Sequence, residues 1–447
     1  MLPFSRRALQ QRLNELQSKL APAAVELLGK RMDMSGNDRI PAVWETVWLH
    51  ALGQAGSFEH EVPLDDGSRP DFRFWVRGPE GGITVVGDIT CVSDRGVHEK
   101  NPAQPFWDEL WRQIRALKLD PNHFRCDIGH RTEGEYPDQR FVLRLPKRGR
   151  LPQFIKQEVG PWLRGLAQSK ASTGSLSVIN DEVEIKLGYN TAHQFAGGGH
   201  VAYTSFTSWT RNPLVTQLTK KERQLRHAPV DALRLVILCD AGCQTMKKSM
   251  FSTSLSADEI VSRFLKRSTV IDMVLLVSLE AETALLTNQR KLSVHARIAS
   301  APAQSVPRRT VETGLAIRKH LDSAITHLPA PVLDAHNASL RTNLPSPGSG
   351  TLGVRMSSSR SRSTIALSAR VLLDLLAGKI SLEEFQKVYG WHPESVMPSP
   401  NPFTFAARSG QLITGASLQP AGDADDDWIE FEFGPPDPAV SPFSRAS

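Results

Sequence analysis

The sequence predicts an α/β fold in which helices flank a sheet that is at least partly parallel. In the first 92 residues one helical segment precedes three extended segments, and further on two continuous apolar segments, residues 233–239 and 272–279, each follow a helical segment. Strands buried on both faces of a parallel sheet have such continuous apolar sequences, because helices cover both faces. Helices that alternate with buried strands therefore predict a layered α/β domain.

The individual elements follow from local patterns. Residues 41–55 predict a helix, because apolar side chains recur at i, i+4 spacing and Pro41 suits the first turn. Residues 70–76 alternate in polarity and residues 83–92 are rich in β-branched side chains, so both segments predict strands. A polar stretch with many Pro and Gly residues reaches to about residue 150. Further helices are predicted at residues 105–118, 152–168, 214–228 and 256–267, and two helices joined at Gly378 are predicted within 364–389. Further strands are predicted at 58–62, 176–190 and 428–434.

The chain of 447 residues is long enough for two or three folded units. The patterns predict four regions: an N-terminal helical segment (1–35), a core (36–280) with an insertion at about 120–212, a basic linker region (281–363), and a small C-terminal helical region with an acidic tail (364–447).

Composition limits the class of protein. With 40% hydrophobic and 22% charged residues the chain is not wholly disordered. No apolar run reaches the 18 residues of a membrane span, and charges such as Arg6 and Arg7 interrupt the N-terminus where a secretory signal would be apolar. Four cysteines without a CxxC pair favour a reducing compartment. We therefore predict a cytoplasmic protein without a membrane partner.

Charge is unevenly distributed. Residues 287–370 carry 12 Lys or Arg and three acids, whereas residues 423–437 carry seven acids and no basic residue. A basic stretch of this size predicts contacts to the phosphates of a nucleic acid. The alternative is an ordinary solvated surface with an acidic loop.

One group of acidic residues indicates chemistry. Asp71 follows Pro70 at the start of a predicted strand, Asp88 lies inside the next strand after 16 intervening residues, and Glu45 lies on the preceding helix. A buried, unpaired carboxylate is costly, so an acid within the run Val-Val-Gly-Asp-Ile-Thr suggests a functional role. Converging carboxylates are the ligands that Mg²⁺ prefers.

This motif and the order of elements resemble those of the PD-(D/E)XK, or restriction-endonuclease-like, nucleases. The resemblance implies a mixed sheet flanked by helices, with Mg²⁺ or Mn²⁺ bound by Glu45, Asp71 and Asp88. The family has a lysine where this chain has Thr90, which lies on the same strand face as Asp88. Either the site is weak or inactive, or a lysine reaches it from another element. The helix at 214–228 offers the candidates Lys220, Lys221 and Gln224, and Asp94 is a further polar candidate.

The function implied by this resemblance is metal-dependent hydrolysis of DNA, with RNA as a second possible substrate, in bacterial restriction or anti-phage defence. An alternative is a catalytically inactive nucleic-acid-binding or scaffolding subunit of a multi-protein defence complex. A third hypothesis is an unrelated α/β enzyme that uses Asp240, at the carboxyl end of a buried strand.

Several other patterns are less specific. Glu184-Ile185-Lys186 matches the (D/E)XK part of the motif. The Pro-Asp pair that would precede it, Pro137-Asp138, lies in a polar stretch and not in a predicted strand, so an ordinary half-exposed strand is favoured. The glycines at 197–199 lack the Lys-Ser/Thr of a phosphate loop. His123, Cys126 and His130 could bind zinc, but the sequence offers no fourth ligand. Cys239 or Cys243 could be a nucleophilic thiol. Four tryptophans at helical spacing predict core packing, with base stacking as the alternative: Trp44, Trp48, Trp107 and Trp111.

Overall fold

The structure is a computed structural model. It describes residues 3–33, 38–78, 81–94, 102–135, 140–169, 171–201, 209, 212–247, 255–283, 290–301, 311–332, 354–358, 363–392, 399–420 and 427–437.

The strands are β1 (Phe58–His60), β2 (Phe72–Gly78), β3 (Gly81–Val92), β4 (Phe124–Ile128), β5 (His130–Glu133), β6 (Arg140–Leu143), β7 (Thr173–Ile179), β8 (Glu184–Asn190), β9 (Gly197–His200), β10 (Leu233–Asp240), β11 (Met273–Thr283), β12 (Arg290–Ser300), β13 (Arg355–Ser358), β14 (Ser363–Ser368), β15 (Ile413–Gln419) and β16 (Trp428–Phe433). The helices are α1 (Arg6–Leu16), α2 (Pro22–Asp33), α3 (Arg39–Ala55), α4 (Ala103–Ala116), α5 (Leu151–Phe154), α6 (Gly160–Ser169), α7 (Pro213–Leu225), α8 (Ala257–Arg267), α9 (Val311–Thr326), α10 (Ala369–Leu376), α11 (Leu382–Val388) and α12 (Pro402–Arg408).

The main sheet has six strands in the order β1-β2-β3-β10-β11-β12. Strands β1, β2 and β3 form an antiparallel meander, β3, β10 and β11 are parallel, and β12 returns antiparallel to β11. The prediction of a mixed α/β fold with a partly parallel sheet is confirmed.

Helices cover both faces of this sheet, which gives three layers. On one face, here the α3 face, Val85 and Ile89 of β3 pack in a core formed with helices α1, α2, α3 and α9. On the other, the α7 face, Val86 and Val92 pack against helices α7 and α8. Because side chains alternate along a strand, Asp88 and Thr90 also point toward the α7 face.

Glycine at position 87 allows β2 and β3 to pair beside the site. Gly87 pairs with Phe72, and an added Cβ would lie 2.4 Å from the Phe72 ring and from the Leu235 carbonyl oxygen. A side chain here would push the phenylalanine and the neighbouring strand away. Gly87 therefore maintains the strand spacing next to Asp88.

The insertion has a hydrophobic core of its own. Its four-stranded sheet has the order β7-β8-β4-β9, and its core is built from residues between 103 and 189. Helix α4, which the sequence analysis left outside the insertion, belongs to this core through Phe106, Leu110 and Ile114. The polar stretch that reaches to about residue 150, for which no element was predicted, contains strands β4, β5 and β6, with Cys126 buried in β4.

The core extends past the predicted boundary at residue 280. Strand β12 completes the main sheet, and Ile317 and Leu321 of α9 pack on its α3 face. The region predicted as a basic linker thus contributes to the core. Five of its basic residues lie outside the described residues: Arg308, Arg309, Arg341, Arg360 and Arg362.

The C-terminal region is a mixture of strands and helices, whereas the sequence predicted helices with a terminal edge strand. A four-stranded antiparallel sheet has the order β13-β14-β16-β15, so β16 is an inner strand. Residues 364–368, predicted as the start of a helix, belong to β14. Of the acidic tail, Asp427 forms an ion pair of 2.7 Å with Arg7 of α1, and residues 423–426 lie outside the described residues.

Among the described helices, none combines the length and apolar character needed to span a membrane.

We predict that Gly87→Ala destabilises the protein, by about 1–3 kcal/mol, because the added methyl group overpacks the contact with Phe72. Gly82→Ala in the same strand is the matched control, since nothing lies within 4 Å of its added Cβ. Urea unfolding of the two variants beside the unaltered chain measures the difference. Equal midpoints for both variants would contradict the packing argument.

Candidate active site

Strands β2 and β3 bring Asp71 and Asp88 together, as the motif predicts. The register pairs Phe72 with Gly87, so the two aspartates are the next neighbours across the strands. The backbone N–H of Asp71 donates to Asp88 Oδ1 at 3.3 Å, and the N–H of Ile89 donates to Asp71 Oδ2 at 2.6 Å. Two carboxyl groups therefore meet at the start of β2.

A lysine from α7 supplies the positive charge that Thr90 lacks. Lys221 Nζ lies 3.3 Å from Asp88 Oδ1 and donates to Gln224 Oε1 at 3.0 Å. Lys220 is exposed, and Thr90 is buried on the same strand face as Asp88. The structure thus brings Lys221 and Gln224 to the aspartates and leaves Lys220 outside.

The choice between the two lysines follows from helix packing. Leu214, Leu218 and Leu225 are the buried side chains of α7. Lys221 lies three residues after Leu218 and four before Leu225, so it is on the buried stripe of the helix. The spacing of these leucines was the sequence signal that would have selected Lys221.

The surroundings of Asp71 and Asp88 disfavour their charged forms. Asp88 has no exposed surface, and burial raises its pKa, with the negative charge of Asp71 acting in the same direction. Burial likewise raises the pKa of Asp71. The ammonium of Lys221 lowers the pKa of both groups and so offsets part of this cost.

Glu45 is held by an arginine that the sequence analysis did not identify. Arg31 of α2 lies 2.8 Å from Glu45 Oε2, and the glutamate side chain is 13% exposed. Burial raises the pKa of Glu45 to about 7, and the charge of Asp71 contributes to the same shift. Nothing in the local sequence of α2 indicates this contact, which depends on the packing of α2 against α3.

The predicted metal site requires three carboxylates at one position. Within the described residues, no three His, Cys, Asp or Glu side chains are grouped so that they could hold a metal ion. Glu45 is paired with Arg31, so the predicted set of three carboxylates is not assembled. Mg²⁺ is commonly held by one or two carboxylates together with water and substrate phosphates. Asp88 Oδ2 is buried and has no hydrogen-bond partner, which leaves one oxygen of the aspartate pair available to a cation.

Other predicted sites have structural roles. Asp240 Oδ1 accepts from the N–H groups of Gly242 and Cys243, both at 2.8 Å, so it caps the turn after β10. Asp94 Oδ2 accepts from Gln244 N–H at 2.8 Å. Glu184 pairs with Arg144 at 2.7 Å in a strand of alternating burial.

The remaining cysteine, tryptophan and glycine candidates lie in hydrophobic cores or in a strand. Cys239 and Cys243 are buried, and burial raises the pKa of each thiol, which opposes thiolate chemistry. The glycines at 197–199 form β9, where a Cβ on Gly198 would lie 1.9 Å from the Cys126 carbonyl oxygen. The four tryptophans lie in or against hydrophobic cores: Trp44 and Trp48; Trp107 and Trp111. Pro137-Asp138 lies outside the described residues.

Comparisons with protein-family models, with curated proteins and with solved structures found no match to this chain. The interpretation of the site therefore depends on its own geometry.

The raised pKa of Glu45 predicts a pH dependence of stability in the metal-free protein. Its carboxyl has a pKa of about 7 when folded and an ordinary value of 4.5, so between these values the folded state binds more protons than the unfolded state. Stability therefore falls as pH rises from about 4.5 to about 7, by up to about 3 kcal/mol for this group. Glu45→Gln removes this contribution, so the variant loses less stability than the unaltered chain over the same range, and the raised pKa values of Asp71 and Asp88 leave a residual pH dependence.

The measurement is unfolding by urea at pH 5 and pH 8 in EDTA, for the unaltered chain and the variant. Glu432→Gln is the control, because its carboxyl lies on the C-terminal sheet, away from the aspartates. An identical change in stability for the Glu45 variant and the unaltered chain would contradict the assignment.

Proposed function

We propose that the chain is a metal-dependent nuclease that hydrolyses phosphodiester bonds of DNA, with a restriction-endonuclease-like core. The observation that carries this proposal is the contact of Lys221 with Asp88 beside Asp71, which completes from α7 a motif that lacks its lysine at position 90. Bacterial restriction or anti-phage defence in the cytoplasm, with protein partners of a defence complex, is the setting that the resemblance suggests.

The order of elements supports the proposed core. Helix α3 precedes the antiparallel strands β1, β2 and β3, and α7 then leads into β10, which is parallel to β3. Helices α3 and α7 cover opposite faces of the sheet. This arrangement is the one that the resemblance implies, with the insertion between β3 and α7.

The residues have separate roles in the proposed reaction. Asp71 and Asp88 would hold Mg²⁺ or Mn²⁺, with Glu45 as a further ligand if it leaves Arg31. A bound divalent ion lowers the pKa of water and offsets negative charge on a phosphate. Lys221 Nζ, which donates to Gln224, would supply positive charge to the attacking water and the phosphate. Thr90 is left with a packing role beside Asp88.

We predict that Asp71→Asn, Asp88→Asn and Lys221→Ala each reduce nicking of supercoiled plasmid by about 10²-fold or more, because the first two remove a proposed metal ligand and the third removes the cation proposed to lie beside the phosphate. Lys220→Ala is the matched control, since it removes the same charge from the exposed face of the same helix. The assay is run with Mg²⁺ and with Mn²⁺, on DNA and on RNA. Equal background rates for all variants and the unaltered chain would favour the inactive binding subunit instead.

We also predict that Mn²⁺ raises the melting temperature of the unaltered chain and leaves that of Asp88→Asn unchanged. The stabilisation is larger at pH 8 than at pH 6, because the ligating carboxylates must lose their protons before the ion binds. Thermal unfolding in Mn²⁺ against EDTA measures both effects. Equal shifts for the two proteins would contradict a site at Asp88.

A further inference from the structure

Beyond the aspartates, three side chains of β2 form a partly exposed strip on the α7 face. Arg73, Trp75 and Arg77 alternate with the buried Phe74 and Val76, so the three share one face. Their partners across the ladder are Val86, Thr84 and Gly82, which lie on the same face of β3 as Asp88. The strip, defined as Arg73, Trp75 and Arg77, is therefore a continuation of the candidate active site.

Trp75 differs from the tryptophans of the core. Its side chain is 45% exposed, whereas Trp44 and Trp48 have no exposed surface. The guanidinium of Arg73 lies 5.6 Å from the centre of the Trp75 ring and is itself paired with Glu59. These contacts hold the indole in place on the sheet while leaving much of it open to solvent, and Arg77 is exposed beside it.

The position of the strip suggests its ligand. Trp75 pairs with Thr84, four residues before Asp88 along β3, which corresponds to about 13 Å at 3.3 Å per residue. A nucleic acid strand with one phosphate at the aspartates would place a base over Trp75 within a few nucleotides. Aromatic rings flanked by arginines bind bases of single strands by stacking, with the cations near the phosphates. Bases in a duplex are already stacked and offer no free face.

We propose that Trp75, with Arg73 and Arg77, is a stacking platform for an unpaired base of a nucleic acid strand that runs to the aspartate pair. The position of the strand rests on the proposed function, whereas the stacking itself requires no turnover. The strip thus favours single-stranded nucleic acid, or a duplex with an unpaired segment next to the cleaved bond, as the substrate.

The test measures binding of fluorescein-labelled oligonucleotides by anisotropy in EDTA, with the full chain, for a single strand and for the blunt duplex of the same sequence. Trp75→Ala is expected to weaken single-strand binding about 10-fold and to leave duplex binding unchanged. Trp75→Phe is expected to retain most of the affinity. Phe195→Ala is the control, because this phenylalanine is 77% exposed in the insertion. Melting temperatures verify that each variant is folded.

Salt dependence gives a second measurement. Arg77→Gln is expected to reduce the slope of log Kd against log salt concentration by about one, because it removes one phosphate contact. Unchanged single-strand affinity in Trp75→Ala, or no binding of any oligonucleotide, would overturn the platform. If Trp75→Ala has no effect while Asp71→Asn still abolishes nicking, the platform fails and the proposed nuclease stands. If Trp75→Ala weakens binding and no variant nicks DNA, the platform stands and the nuclease fails.

Discussion

The carboxyl groups of Asp71 and Asp88 lie next to each other at the start of β2, and the surrounding groups compensate part of their negative charge. Burial raises the pKa of both carboxyl groups, and the negative charge of Asp71 raises that of Asp88 further. Lys221 compensates as the nearby cation, and the backbone N–H groups of Asp71 and Ile89 donate to the oxygens. Such an arrangement is costly for stability alone, which is why it suggests function.

The two helical layers contribute different charges to this position. Helix α3 carries Glu45, held by Arg31, and α7 carries Lys221 on the opposite face of the sheet. Because residues 88 and 90 both face α7, the charge that the proposed motif has on β3 can come from α7 instead. In the proposed nuclease, threonine at position 90 is then compatible with a working site, and the proposed catalysis would depend on how α7 packs.

Much of this arrangement could be predicted because it is local. Helix α3, strand β3 and the buried strand β10 follow from periodicity, and the motif identified Asp71 and Asp88. The contact of Arg31 with Glu45 could not be predicted, since it depends on how α2 packs on α3. Short apolar segments are ambiguous between strand and helix, which is why the pattern at residues 364–368 predicts a helix although these residues belong to β14. The role of α9 in the core likewise arises from tertiary packing alone.

The most direct test of the central claim is the anomalous difference map of a crystal of the protein grown or soaked with Mn²⁺. The account predicts a peak bonded to carboxylate oxygens of both Asp71 and Asp88 at about 2.0–2.6 Å, with the Lys221 ammonium displaced from Asp88 Oδ1 or turned toward the bound water. A map without a peak at this position, with Lys221 still paired to Asp88 at saturating Mn²⁺, would contradict it.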